Sequence, residues 1–156
     1  MRDVWLFLQP LLNEMIQRIQ SLFLLGASLS GALFAFLPWA VFHLGEGKDD
    51  VILKGTSELV SSLPGFTIAF FALINIFLFS NRKRQMRVCN VLFVIAIGAL
   101  SSAVLKITAT SAELKANDFD YQFGMVWPVI AIIFTYMAKH AIQKDEKLVR
   151  SADRLR

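Results

Sequence analysis

The chain has 156 residues, 56% of them hydrophobic, with a mean hydropathy of +0.56 and a formal net charge of +4. That composition excludes an ordinary soluble domain folded around one compact core. The single cysteine, Cys89, excludes a disulfide or a cysteine-based metal site within one chain.

Four stretches carry no Asp, Glu, Lys or Arg: Ile19 to Gly45, Leu59 to Asn81, Val88 to Leu105 and Tyr121 to Ala138. Each supplies the roughly 18–20 residues that cross a hydrocarbon core about 30 Å thick as an α-helix. Crossing demands helix, because every backbone N–H and C=O must be satisfied without water. A closed β-barrel is set aside, since these runs are continuously apolar rather than alternating. The expectation is an all-α polytopic membrane protein, an antiparallel bundle of four transmembrane helices. Its spans are placed at about 19–42, 64–80, 88–108 and 123–141 within a domain of residues 15–142.

Residues 1–14 read as an extension. Arg2 and the apolar run Val4 to Leu12 suggest a signal peptide, but no small-residue cleavage site precedes Met15 and Pro10 interrupts the run. An interfacial segment with Trp5 at headgroup level is expected, or a dispensable extension if translation starts at Met15. Helix one is expected from about Met15 to Phe42. Its GASLSGALFA places Gly26 and Ser30, and Ala27, Gly31 and Ala35, at four-residue spacing, which lets a second helix approach closely. Pro38 and Trp39 fit a loosened last turn and an interfacial anchor.

His43 to Ser62 forms the largest loop. Its LGEGKDD has acidic oxygens but no Glu twelve positions along from Asp49, so a solvated turn is favoured over a Ca²⁺ loop. Leu59 to Leu63 approaches the membrane and is ended by Pro64 and Gly65. Helix two, about Gly65 to Ser80, is Phe-rich and holds Asn75 near mid-span, where an amide is expected to bond a neighbouring helix for around 1 kcal/mol. Helix three, about Met86 to Thr108, offers Gly98, Ala99, Ser101, Ser102 and Ala103 as a small, hydroxylated packing face whose serines donate across helices. Lys106 can snorkel near its end. After the short acidic connection SAELKANDFDYQFG, Pro128 falls in the first turns of helix four, where a missing N–H is tolerated.

Charge sets the orientation. Arg2, Arg18, Arg82, Lys83, Arg84, Arg87, Lys139, Lys144, Lys147, Arg150, Arg154 and Arg156 fall on one side; only Lys48, Lys54, Lys106 and Lys115 fall on the other. The positive-inside rule puts both termini in the cytoplasm, with the acidic connections facing outward. The same rule and attraction to anionic lipid account for the net charge. Nucleic acid is not an expected partner, since no aromatic residues interleave the basic ones.

No ionisable residue lies at mid-span, His43 and His140 sit at opposite faces, and no phosphate loop or Ser, His and Asp arrangement is visible. The chain is therefore expected to be neither an enzyme nor a holder of cofactor or metal. A site at the outer face using Asp49, Asp50 and Asp118 or Asp120 has weak support. A transporter or ligand-binding protein using Asn75 and the small faces of helices one and three is the stronger alternative.

The tail, residues 143–156, continues helix four. At about 100° per residue, Lys147, Arg150 and Arg154 share one face while Leu148, Val149, Ala152 and Leu155 gather on the other. Glu146 and Arg150 are spaced to pair at i, i+4, and Arg150 and Asp153 at i, i+3. A topological anchor needs only basic residues. Mixed charge, an apolar stripe and Arg in preference to Lys suit docking to a partner. MIQRIQSLFLL from Met15, FGMVWPVIAIIF and above all KDEKLVRSADRLR resemble the domain-of-unknown-function family 4293, small membrane proteins of Bacteroidota. The resemblance covers Met15 to Arg156 and implies four inner-membrane helices with no assigned activity. The expected role is an accessory or scaffold subunit that docks through Lys147, Leu148, Arg150, Ala152, Arg154 and Leu155 onto a protein partner or a lipid headgroup, in a membrane complex or a homo-oligomer.

Overall fold

The computed structural model describes residues 2–45, 49–57, 59–78, 81–115 and 118–153, with side chains over 19–45, 49–57, 60–78, 81–115 and 118–151. In chain order the elements are α1 (Arg2–Phe36), β1 (Pro38–Phe42), β2 (Val51–Lys54), a 3-10 turn (Gly55–Ser57), α2 (Leu59–Phe77), α3 (Arg82–Leu114), β3 (Phe119–Tyr121), a second 3-10 turn (Phe123–Val126) and α4 (Trp127–Asp153). The helices run alternately up and down, and α1 packs on α2 and α4 while α3 packs on α2 and α4. All four are long and apolar enough to cross a membrane. Their outward faces carry Leu22, Phe70, Phe77, Val94, Leu105 and Ile133 exposed. Apolar surface of this extent on helices of spanning length is compatible with a hydrocarbon surround.

Helix one ends earlier than the sequence suggested. Pro38 cannot donate to the helical ladder, and α1 stops at Phe36; residues 38–42 become a strand instead. β1 is the centre of a three-stranded antiparallel sheet in the order β2-β1-β3, pairing Phe42 with Val51 and with Phe119. Pro38 is tolerated as the strand's first residue, at a bulge. The sheet closes one end of the bundle, hereafter the sheet end; the α2–α3 turn and the end of α4 define the tail end.

Trp39 is not an interfacial anchor. It is buried, stacked on Phe34 with ring centroids 4.7 Å apart, and its Nε1 donates to the Phe34 carbonyl at 2.8 Å. That bond satisfies one of the last carbonyls of α1, which no following turn can reach. From this stack the core runs inward through Phe42, Leu53 and Ile68 to an alanine seam on α3, Ala96, Ala99 and Ala103.

Two other boundaries moved. α2 begins at Leu59, with Pro64 inside it rather than ending an approach. α3 extends beyond 86–108 in both directions, started by Asn81, whose side chain accepts from Arg84 N at 3.1 Å, and stopped by Lys115 in the left-handed conformation.

Candidate functional site

Gly31 and Gly65 face each other where α1 crosses α2. A Cβ on either would lie 2.7 Å from the other's carbonyl oxygen, so only glycine permits this approach. Ser28 Oγ fastens the same interface by donating to the Ala69 carbonyl at 2.9 Å. Gly26 has the Phe134 ring of α4 3.0 Å from where a Cβ would sit. Ser30 is buried, but its hydroxyl returns to the Gly26 carbonyl of its own helix rather than crossing to another. Ser102 likewise donates to Ala99 O, and Gly98 faces open space. Of the expected face, Ala99 and Ala103 pack inward together with Ala96, whereas the serines turn back to their own helix, because an i−3 or i−4 carbonyl is always within a hydroxyl's reach.

Toward the tail end the interior changes character. Leu24, Cys89, Ala138 and Ile142 form one apolar layer, with Ile76 packed against it. One turn further along stand Gln20 on α1, Gln85 on α3 and Asp145 on α4, and Asn75 of α2 neighbours Ile76; all four are buried. Asn75 Nδ2 donates to the Gln85 carbonyl at 3.3 Å and to Cys89 Sγ at 3.2 Å, while Gln85 Nε2 donates back to the Asn75 carbonyl at 3.1 Å. This reciprocal clasp closes the short α2–α3 turn. Arg82 Nε reaches Asp145 Oδ2 at 2.9 Å and ties α4 to the same turn. Gln20 Nε2, Asn75 Oδ1, Gln85 Oε1 and Asp145 Oδ1 are buried without a hydrogen-bond partner among the described residues.

Of this layer the sequence pointed only to Asn75. Gln20, Gln85 and Asp145 carry a usable signal: each is spaced by three or four residues from an apolar inward position, Leu24, Cys89 or Ile142. Arg82 was counted for topology alone and also has this pairing role.

Beyond Asp145, α4 continues for two more turns. Lys147, Leu148 and Arg150 are exposed, and Arg150 Nη2 meets Glu146 Oε1 at 2.6 Å, the expected i, i+4 pair. The Ala152 side chain lies outside the described side chains, and Arg154 and Leu155 outside the described residues.

At the sheet end, His43 lies between the two connections expected to face outward. Its Nδ1 is 3.1 Å from Asp50 Oδ2 and its Nε2 is 3.3 Å from Asp120 Oδ2. Hydrogen bonds to Asp50 first, then Asp120, raise the imidazole pKa above its ordinary value. Only the doubly protonated ring can donate to both carboxylates.

The family described as Domain of unknown function (DUF4293) matches residues 16–155. The chain belongs to that family. Its match begins one residue after Met15 and takes in the basic tail, so the bundle, the sheet and the tail helix are all features of a DUF4293 chain. Comparisons with curated proteins and with solved structures return no match.

Proposed function

We propose that this DUF4293 chain is a multi-pass protein of the bacterial inner membrane, with both termini in the cytoplasm, serving as a non-enzymatic accessory or scaffold subunit of a larger membrane complex. The tail helix is its docking surface, and basic side chains fit it to an acidic face on a partner protein. Orientation is supported by charge. Arg84, Arg87, Lys139, Lys144, Lys147 and Arg150 cluster toward the tail end, whereas Asp49, Asp50, Asp118 and Asp120 lie at the sheet end.

The observation that carries the docking role is the continuity of α4. Its 27 residues give about 40 Å of helix, some 10 Å more than the bilayer core needs. The excess begins beside the Arg82–Asp145 pair, which holds it to the bundle, and it presents Leu148, 48% exposed, on a face apart from that of Lys147 and Arg150. An apolar face and a basic face on one rigid helix are organised for a partner.

Purification in mild detergent followed by mass spectrometry should recover one stable partner. Replacing Arg150 and Arg154 together by Glu should release it without changing membrane insertion. A protein that is consistently solitary would contradict the docking role. A reporter fused after Arg156 checks the orientation, and activity only outside the cytoplasm would reverse it.

A further inference from the structure

Grooves run between neighbouring helices at the tail end. The one between α2 and α3, about 360 Å³, is walled by Phe71, Leu78, Val88, Val91 and Leu92. Arg84 and Arg87 line it as well, both at its tail-end mouth. Neither guanidinium has an ion-pair partner among the described residues, whereas Arg82 beside them is spent on Asp145. Along α3 the lining changes from basic to apolar within eight residues, Arg84 to Leu92, or about 12 Å.

The same polarity recurs in the α3–α4 groove, where Lys139 stands toward the tail end and Phe93 and Val94 toward the sheet end. The α1–α4 groove also pairs basic with apolar lining, His140 and Lys144 with Ile19, Phe23 and Met137, though Ile19 lies level with Lys144.

We infer that these grooves are binding sites for anionic phospholipid, the α2–α3 groove foremost, with the headgroup phosphate on Arg84 and Arg87 and an acyl chain along Phe71, Val88 and Val91. Charge complementarity selects the occupant. Two unpaired guanidiniums attract a phosphate, and Arg meets its oxygens in bidentate fashion. A wall that is apolar from Val88 onward needs a partner that turns into hydrocarbon within the same length. Phe71 and Val91 are 43% and 56% exposed on helices that pass as membrane spans, so the surrounding medium already consists of acyl chains. Basic pockets between spanning helices are where anionic headgroups bind in general. Of the proposed function, this assignment uses only the placement in a bilayer; it holds whether or not the tail docks a partner.

The full chain in mild detergent is titrated with phosphatidylglycerol and, separately, with phosphatidylcholine of the same acyl chains, and bound lipid is counted by native mass spectrometry. Phosphatidylglycerol should bind more tightly. Arg84→Gln with Arg87→Gln should weaken it about thirty-fold, on the basis of about 1 kcal/mol per basic side chain, and leave phosphatidylcholine unchanged. Arg84→Lys with Arg87→Lys should retain most of the preference, which separates charge from folding. Lys83→Gln, on the same turn but outside the groove, should have little effect. Val91→Asn should weaken both lipids. Equal binding of the two lipids would overturn the assignment, as would a loss from Lys83→Gln matching that of the arginine pair, or displacement of the lipid by inorganic phosphate alone.

Discussion

The two ends of the bundle are held by different physics. At the sheet end, cohesion is apolar and backbone-based: the Phe34–Trp39 stack, the Gly31–Gly65 crossing about one turn below it, and a ladder in which Gln122 N and His43 N extend the β1–β3 pairing at 2.8 and 3.1 Å. At the tail end, cohesion is polar and made by side chains, through the Asn75–Gln85 clasp and the Arg82–Asp145 pair. The sheet end closes two long connections over the helices, while the tail end leaves α4 free to project. Apolar close packing stabilises one arrangement; buried polar groups, costly unless paired, fix which helix faces which.

Trp39 is the side chain on which the sheet end depends most. Trp39→Ala should destabilise the chain by about 3–5 kcal/mol, read as a lower unfolding midpoint in detergent, because it removes the stack and the carbonyl bond together. Gly65→Val should cost about 3 kcal/mol, the upper end for overpacking, since the new side chain meets the Gly31 backbone, which cannot move aside as a flexible side chain would. Asp145→Asn should cost about 1–3 kcal/mol, below the full cost of a broken buried pair because Arg82 is about one third exposed. It should also loosen residues 143–153 in hydrogen exchange while leaving the sheet protected.

The smallest effect is at His43. A raised pKa means that the clamp on Asp50 and Asp120 is fully present below about pH 6.5, the unfolded value, and is lost as pH rises through the folded value. Amide protection at His43 and Gln122, whose N–H groups donate to Asp118 O and Trp39 O, should therefore be greater at pH 5.5 than at pH 8.5, and His43→Gln should remove the difference. Protection at the tail end should not follow this pH dependence.

Helix number and the small-residue approach of α1 were legible because hydrocarbon thickness and backbone satisfaction leave few solutions. The i, i+4 pairing of Glu146 with Arg150 was legible for a local reason, since helix geometry alone places the two side chains together. The sheet was not. PWAVF reads as the end of an apolar span, and its strand character depends on pairing with Val51–Lys54 and with the distant Phe119–Tyr121. Such non-local pairing leaves no periodic mark in five residues. Asn75 stood out as an amide in an apolar run, but its partner Gln85 sits in a basic stretch where a polar residue draws no notice. Gly98 misled because a small residue marks a possible approach without saying which face of the helix is inside.

The proposed docking role of the tail is tested most directly by photo-crosslinking in intact cells. A photoreactive amino acid placed at Leu148, exposed on the projecting part of α4, is compared with one at Leu22, exposed on the apolar belt of α1. Position 148 should give one discrete protein adduct, lost when Arg150 is changed to Glu, and position 22 should give no such adduct. Absence of an adduct at 148, or the same adduct from both positions, would contradict that role.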